Sequence, residues 1–351
     1  MSITAQKALL IVSKGAPFTV GQHEIPAPKA GEILVRIQAT ALNPVDWKIQ
    51  QSGVYVETYP AILGTDSAGI VEAVGEGVTN FAVGDRVFHQ GFFINRNATF
   101  QQFTVVPAEI AAKIPPEITF DQAATIPLGL ATAAIGFYNK KWERGGAQLT
   151  PPWQDGGRGK YADQPILIFA GSSSVGQYAI QLARLSGFSP IITTVSPHNN
   201  ELVRSLGATH PLDRNLPVSI ITDSIKNITS KPFIVIYDAF GGSAELQNTA
   251  YDLLAPGGKL VSVLASKVDP DKITSDKEVI STFGTVHAEN NRELGKSLYG
   301  NLTELLASGD LVPNNPEYHP GGLASIPAQL ERMKNNQVSG AKLVVRPPET
   351  P

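Results

Sequence analysis

The sequence predicts an α/β protein in two parts, an all-β, barrel-like module followed by a doubly wound parallel sheet. Up to about residue 125, short runs rich in β-branched residues are punctuated by glycine and proline. After residue 165, apolar strands alternate with amphipathic helical stripes. At 351 residues, 42% hydrophobic and 17% charged, the chain has room for two domains and an ordinary globular composition.

In the first part, residues 8–12, 33–39, 67–74 and 103–106 read as strands. Pro26, Pro28, Gly31, Pro44, Gly53, Pro60 and Gly64 interrupt them. In the second part, 166–170 is a continuous apolar strand, and 174–186 is a helix with Val175, Ala179, Leu182 and Ala183 on one face. Residues 191–195 form a strand, and 199–206 a helix that Gly207 can cap. Ile221, Ile225 and Ile228 make another helical stripe before the buried strand 233–237. Leu246, Ala250, Leu253 and Leu254 make a further helical face, followed by Pro256-Gly257-Gly258 and a strand over 259–264. Residues 140–164 lack periodicity and are too long for an ordinary connection, which leaves a surface insertion or a lid. The tail offers a helix at 326–335 and a strand at 342–345.

Composition excludes several function classes. The formal charge is −3 and basic residues do not cluster, so neither nucleic acid nor a membrane is an expected partner. The longest apolar stretches are strand-length, and no basic start leads into an apolar run, so the expected location is cytoplasmic. There is no cysteine, which removes disulfides, thiolate nucleophiles and sulfur-built zinc sites. His23, His89, His198, His210, His287 and His319 are scattered without metal-ligand spacing, and no metal is expected.

Gly171-Ser172-Ser173-Ser174-Val175-Gly176 fits a GxGxxG frame with Ser173 in place of the middle glycine. It follows a buried strand and opens a helix, the context in which backbone amides and a helix N-terminus receive a dinucleotide pyrophosphate. An NAD site usually ends its second strand in an acid that holds the ribose hydroxyls. Here that strand ends in Ser196-Pro197-His198-Asn199, and the first acid is Glu201, inside the next helix. Without a carboxylate to repel a 2′-phosphate, and with Ser196, His198 and Asn199 as donors, the expected cofactor is NADPH. Arg204 and Arg214 are the nearby cations. Asp238, with Gly241 and Gly242 after it, falls where strand ends meet a cofactor crevice.

Gly64-Thr65-Asp66-Ser67-Ala68-Gly69, then Gly75, Val78 and Val83-Gly84-Asp85-Arg86-Val87, resemble the medium-chain dehydrogenase/reductase superfamily. The similarity continues through Asn43-Pro44-Val45-Asp46, the 171–176 turn, Pro256-Gly257-Gly258 and the closing Gly340-Ala341-Lys342-Leu343-Val344-Val345, and spans nearly the whole chain. It implies a GroES-like β-barrel catalytic domain over 1–128, a doubly wound Rossmann domain binding NADPH over 129–285, and a return to the catalytic domain over 286–351. Zinc enzymes of the superfamily carry Cys at the position of Asn43, His-Glu at Thr65-Asp66, and a four-Cys loop missing here. Without such donors no Lewis acid polarises a carbonyl. The chain therefore resembles the zinc-free branch of quinone reductases, enoyl reductases and enone or alkenal double-bond reductases. Asn43-Pro44-Val45-Asp46-Trp47-Lys48, Leu63-Gly64-Thr65-Asp66, Ser196-Pro197-His198-Asn199 and the insertion after Tyr138 look most like fungal trans-acting enoyl reductases.

The implied activity is NADPH-dependent reduction of an α,β-unsaturated carbonyl, free or held as a thioester on a carrier. A quinone reductase and a cofactor-binding protein without turnover are the alternatives. Reduction requires hydride at the β carbon, a stabilised enolate and a proton at the α carbon. The resemblance gives Lys48 and Thr132 the handling of cofactor or substrate, with Asn43 and Pro44 in the turn facing the nicotinamide. Asp46 could orient Lys48 or cap the helix after Pro44. Tyr59, Tyr55 and His89 are proton-donor candidates without an identifiable partner, and solvent is the other source. The resemblance also brings Leu264, Phe283 and Thr285 near the nicotinamide, and Lys342 to the cofactor from the tail. Charge over 265–281 discourages sheet-edge pairing, so a monomer is expected and a dimer left open.

Overall fold

The computed structural model describes residues 5–351, and the chain divides into two compact units. One runs to Leu128 and resumes over Gly295–Pro351; the other is Gly129–Leu294.

The first unit begins with β1 (Ala5–Ile11), β2 (Thr19–Glu24), β3 (Glu32–Ala41), α1 (Pro44–Ser52) and β4 (Ala61–Ile62). β5 (Asp66–Val74), β6 (Arg86–Gln90), β7 (Phe103–Pro107), β8 (Ala111–Lys113) and α2 (Phe120–Ala124) follow. β2, β1 and β4 form one small sheet, and β3 is the hub of a larger one, antiparallel to both β5 and β7. Leu9, Ile62, Phe100 and Leu343 belong to one buried cluster, so residues distant in sequence share a core. α1 is short because its ends are fixed. Pro44 opens it, Asp46 Oδ2 accepts the Asn43 N–H at 2.7 Å, and Gly53 stops it at φ 72°.

α3 (Pro127–Tyr138) leads into the second unit, where β9 (Ile166–Phe169), α4 (Ser174–Leu185), β10 (Ile191–Val195), α5 (Asn200–Leu206) and β11 (His210–Asp213) alternate. α6 (Val218–Ile228), β12 (Phe233–Asp238), α7 (Ala244–Asp252), β13 (Leu254–Ser262) and β14 (Glu278–Ser281) continue the alternation, and α8 (Glu289–Ala307) begins in this unit and ends in the first. The strands pair in parallel in the order β11-β10-β9-β12-β13-β14. This is the 3-2-1-4-5-6 order of a Rossmann sheet, whose ligand crevice opens beyond the carboxyl ends of the strands where the order reverses, between β9 and β12. β9 is apolar throughout because helices cover both faces. On one face Leu167, Ile236 and Leu260 join Ile221 and Ile225 of α6; on the other the Tyr237 hydroxyl donates to Thr132 O at 2.8 Å.

β15 (Asn315–Tyr318), α9 (Ile326–Lys334) and β16 (Ala341–Val345) complete the first unit, with β16 antiparallel to β3. Among the elements that differ from the sequence reading, the edge strands β11 and β14 lack the apolar run that marks β9 and β12. The strand expected at 259–264 starts earlier and ends at Ser262, because the Pro-Gly-Gly turn lies inside β13. α8, 19 residues long, escaped the reading because its apolar stripe of Leu298, Leu302, Leu305 and Leu306 occupies only its second half. Of the two alternatives left open for residues 140–164, the contacts favour an anchored insertion. The Tyr161 ring stacks on Phe188 at 5.0 Å, its hydroxyl accepts the Thr150 N–H at 2.7 Å, and Lys259 Nζ donates to Ala147 O at 2.8 Å.

Candidate active site

At the end of β9 the chain turns sharply, with Ala170 at φ 58°. A Cβ on Gly171 would lie 2.1 Å from Thr193 Oγ1, and one on Gly176 would lie 2.2 Å from Ala170 O. Both positions therefore need glycine. Ser173 Oγ accepts the Gly176 N–H at 3.1 Å, so the serine in place of the middle glycine caps α4. Gln177 Nε2 donates to Ser172 O at 3.0 Å and holds the turn from the other side. The first turn of α4, with Ser174 and Val175, thus opens at the crevice, where its amides and dipole suit a pyrophosphate. A tight, glycine-dependent strand–turn–helix fits a dinucleotide.

β10 is followed by buried Ser196, exposed His198 and Asn199, whose N–H donates to Ser196 O at 2.9 Å. The Arg214 N–H donates to Val195 O at 3.0 Å, which sets an exposed arginine beside this strand end. Arg204 turns elsewhere, donating to Thr209 O at 2.9 Å. Asp213, paired with Val195 across the strands, directs its carboxylate to Asn215.

Asp238 at the end of β12 is an organiser of its own loop. Its carboxylate accepts the N–H groups of Phe240, Gly241 and Gly242 and the Gln247 Nε2 donor, at 2.7–3.1 Å. Lys267 Nζ donates to Gly242 O at 2.8 Å, and the exposed Leu264 side chain packs on Gly241. Thr132 in α3 lies against the backbone of Gly284, between Phe283 and Thr285. Phe283 donates its N–H to Arg144 O at 3.0 Å, and Thr285 Oγ1 accepts the His287 N–H at 3.2 Å. The fold thus gathers Thr132 with Phe283 and Thr285.

The first unit holds a second, fully buried polar cluster. Asn43 Nδ2 donates to Asp66 Oδ2 at 2.8 Å and to Thr65 Oγ1 at 3.1 Å. Lys342 Nζ donates to Asn43 Oδ1 at 2.6 Å and pairs with Asp66 Oδ2 at 2.9 Å. Asp66 Oδ1 accepts the Leu128 N–H at 2.6 Å. Pro44 opens α1 next to Asn43, and Lys48 on the same helix is half-buried, its Nζ 5.6 Å from the Trp47 ring centre. Burial pulls the Lys48 ammonium below its ordinary range.

Of the two roles open to Asp46, the structure shows the cap. Burial pushes its carboxyl up to about 8, so it is protonated at neutral pH. Because the folded-state value lies above the ordinary 3.8, Asp46 favours folding fully below that value, and this contribution is lost as pH rises towards 8. Asp46→Asn should remove a slope of about 1.4 kcal/mol per pH unit from that window. Urea denaturation at several pH values checks this.

Of the proton-donor candidates, His89 is fully buried and pushed down to about 4 by burial. Its ring nitrogens face Ser67 Oγ and Gln90 O, so it is a neutral structural group. Tyr59 is exposed, with its hydroxyl beside Gly53 at the end of α1. Tyr55, at φ 69°, stacks on Phe93 with centroids 4.9 Å apart. The sequence reading missed the engagement of Lys342 with Asn43, 299 positions away. Its one signal is a lysine inside an otherwise apolar closing strand.

Among the described residues no group of three or more His, Cys, Asp or Glu side chains is placed to hold a metal ion. At positions 43, 65 and 66 the donors are an amide, a hydroxyl and a carboxylate gathered at an ammonium, a set that does not fit zinc.

Residues 29–116 match the alcohol dehydrogenase GroES-like domain, and residues 174–301 match the zinc-binding dehydrogenase family. A dehydrogenase of Aspergillus niger is 35% identical, over 97% of this chain and 99% of the relative. A trans-enoyl reductase of a Penicillium species is 31% identical, over 97% and 98%. The crystal structure of an alcohol dehydrogenase superfamily protein from Novosphingobium aromaticivorans superposes with a TM-score of 0.80 at 28% identity, covering 97% of this chain and 99% of that one. A Rossmann sheet with a glycine-dependent phosphate turn, joined to a GroES-like unit, defines a nicotinamide-dependent oxidoreductase. The chain belongs to the medium-chain dehydrogenase/reductase superfamily.

Proposed function

We propose that this protein reduces carbon–carbon double bonds activated by a carbonyl, with NADPH as hydride source. A dinucleotide turn in the second unit carries the reading, together with the presence in the first of a polar cluster whose donors do not fit a metal. A site without a Lewis acid is poorly equipped for alcohol–ketone chemistry but suits conjugate reduction, where the electrophile is the β carbon. The 31% identical trans-enoyl reductase supports it.

The bound cofactor supplies hydride to the β carbon of the substrate. Gly171, Gly176 and the amides from Ser172 to Val175 hold its pyrophosphate. Ser196, His198, Asn199 and Arg214 receive the 2′-phosphate, and Asp238 shapes the neighbouring loop. Thr132, Leu264, Phe283 and Thr285 serve the nicotinamide side in the second unit, as Asn43, Pro44 and Lys48 do in the first. The Lys48 ammonium stabilises the developing enolate oxygen, and the α-carbon proton comes from Lys48, Tyr59 or water. The substrate is a small unsaturated carbonyl, free or as a carrier-bound thioester.

A monomer is proposed, because Lys141 pairs with Glu278 on the edge strand β14 at 3.2 Å, and Arg144 O takes the Phe283 N–H just beyond that strand. No helix among the described residues is long and apolar enough to cross a membrane, and the proposed location is cytoplasmic.

The test is cofactor oxidation by the purified protein with enones, enoyl thioesters and quinones. Turnover of the first two classes is expected. Activity with quinones alone would make it a quinone reductase, and cofactor binding without turnover would leave a binding protein. Arg214→Ala is expected to raise the KM for NADPH about tenfold and leave that for NADH unchanged, as steady-state kinetics would show.

A further inference from the structure

We propose that Lys342 is a positioning residue. Its buried ammonium fixes the turn from which α1 starts and so presents Lys48. This rests on the proposed role of Lys48 in the reaction.

Two bonds locate the start of α1 from the same strand. The Leu42 N–H donates to Leu343 O at 3.0 Å, so β16 holds the backbone just before the turn. One residue back on that strand, Lys342 Nζ holds the Asn43 side chain at 2.6 Å. The other face of the Asn43 amide is bound by Asp66 Oδ2, which is itself paired with the ammonium. Asn43, Asp66 and Lys342 therefore close a ring of three mutual contacts, each member almost fully buried.

Register gives this ring its consequence. α1 is only nine residues long and Lys48 is its fifth. A helix turns about 100° per residue, so a start displaced by one residue would swing Lys48 to another face. A buried ion pair stabilises little beyond an apolar pair of equal volume, but it penalises every arrangement that leaves either charge unpaired. The ammonium thus selects one start for the helix. It is a monovalent cation carried by the chain and held by Asn43 and Asp66, two positions at which the resembled zinc enzymes carry other residues.

The experiment compares wild type, Lys342→Met, Lys342→Arg and Lys48→Met, with Lys342→Met also made in the Lys48→Met background. It reads hydrogen exchange of the α1 amides, the NADPH Kd by fluorescence, and kcat with an enone. For Lys342→Met, α1 exchange is expected to rise about tenfold or more while the 171–176 turn is unchanged. Its NADPH Kd should move less than about threefold, and kcat should fall by about ten- to a hundredfold. Lys342→Arg should recover part of kcat. In the Lys48→Met background the further loss of kcat should be below about threefold, because Lys342 acts through Lys48.

An NADPH Kd raised about tenfold with unchanged α1 exchange would overturn the proposal and make Lys342 a cofactor ligand. So would unchanged exchange together with unchanged kcat. If Lys342→Met does not fold, Asp66→Leu combined with Lys342→Met replaces both charges by apolar groups. That variant should show fast α1 exchange and low kcat, and wild-type kcat in it would overturn the proposal. Absence of wild-type turnover defeats the reductase reading alone, because the exchange measurement still decides whether Lys342 sets α1.

Discussion

Lys48→Met is expected to lower kcat by about a hundredfold or more and to change NADPH affinity by less than about threefold. Methionine keeps much of the apolar stem of Lys48 and removes the ammonium that lies 5.6 Å from the Trp47 ring centre, so the substitution chiefly removes the charge. Groups that stabilise a developing oxyanion are worth about 10²–10³ in rate, and a positioned proton donor adds a comparable factor. Burial lowers the Lys48 ammonium towards the working pH, which improves it as an acid. In wild type, kcat should therefore fall as pH rises through that lowered value, and the fall should vanish in Lys48→Met. Steady-state kinetics across pH checks both. An unchanged kcat would shift enolate stabilisation and protonation to other donors, with Tyr59 and water next in line.

Gly176→Val is expected to weaken NADPH binding by at least about a hundredfold and to destabilise the protein by about 1–3 kcal/mol. A Cβ at this position would meet Ala170 O at 2.2 Å and Gly171 Cα at 2.8 Å. Both are backbone atoms, so relief requires α4 to withdraw from the end of β9, and the amides proposed to hold the pyrophosphate withdraw with it. Gly171 offers a contrast. Its nearest obstacle is a side-chain oxygen, Thr193 Oγ1 at 2.1 Å, so Thr193→Ala should partly rescue Gly171→Ala. No side-chain change should rescue Gly176→Val. Fluorescence titration with NADPH and urea denaturation separate the two effects.

The centre of the doubly wound sheet was legible because β9 and β12 are nearly continuous apolar runs and helices such as α4 and α6 keep one clean stripe, whereas the edge strands β11 (His210–Asp213) and β14 (Glu278–Ser281) carry no such run. The phosphate turn was legible for a related reason: residues 171–176 are contiguous, and only glycine tolerates the strand–helix contact at both ends. Asp238 shows the limit of such reading. A strand-end acid looks ligand-facing in sequence, whereas in the fold the three N–H groups of residues 240–242 and the Gln247 amide use its oxygens. His89 likewise looks like a titratable candidate until complete burial makes it neutral. The Asn43–Asp66–Lys342 ring was scarcely legible, its one signal being a lysine in an otherwise apolar closing strand. Its contacts depend on the register in which β16 meets β3, which no local pattern encodes.

Hydride delivery to a carbon–carbon double bond is read out by NADPH deuterated at the transferable position, a conjugated enone or enoyl thioester, and NMR of the product. The expected product is a saturated carbonyl with deuterium on the β carbon. Deuterium on a carbinol carbon, or cofactor consumption confined to quinones, would contradict it.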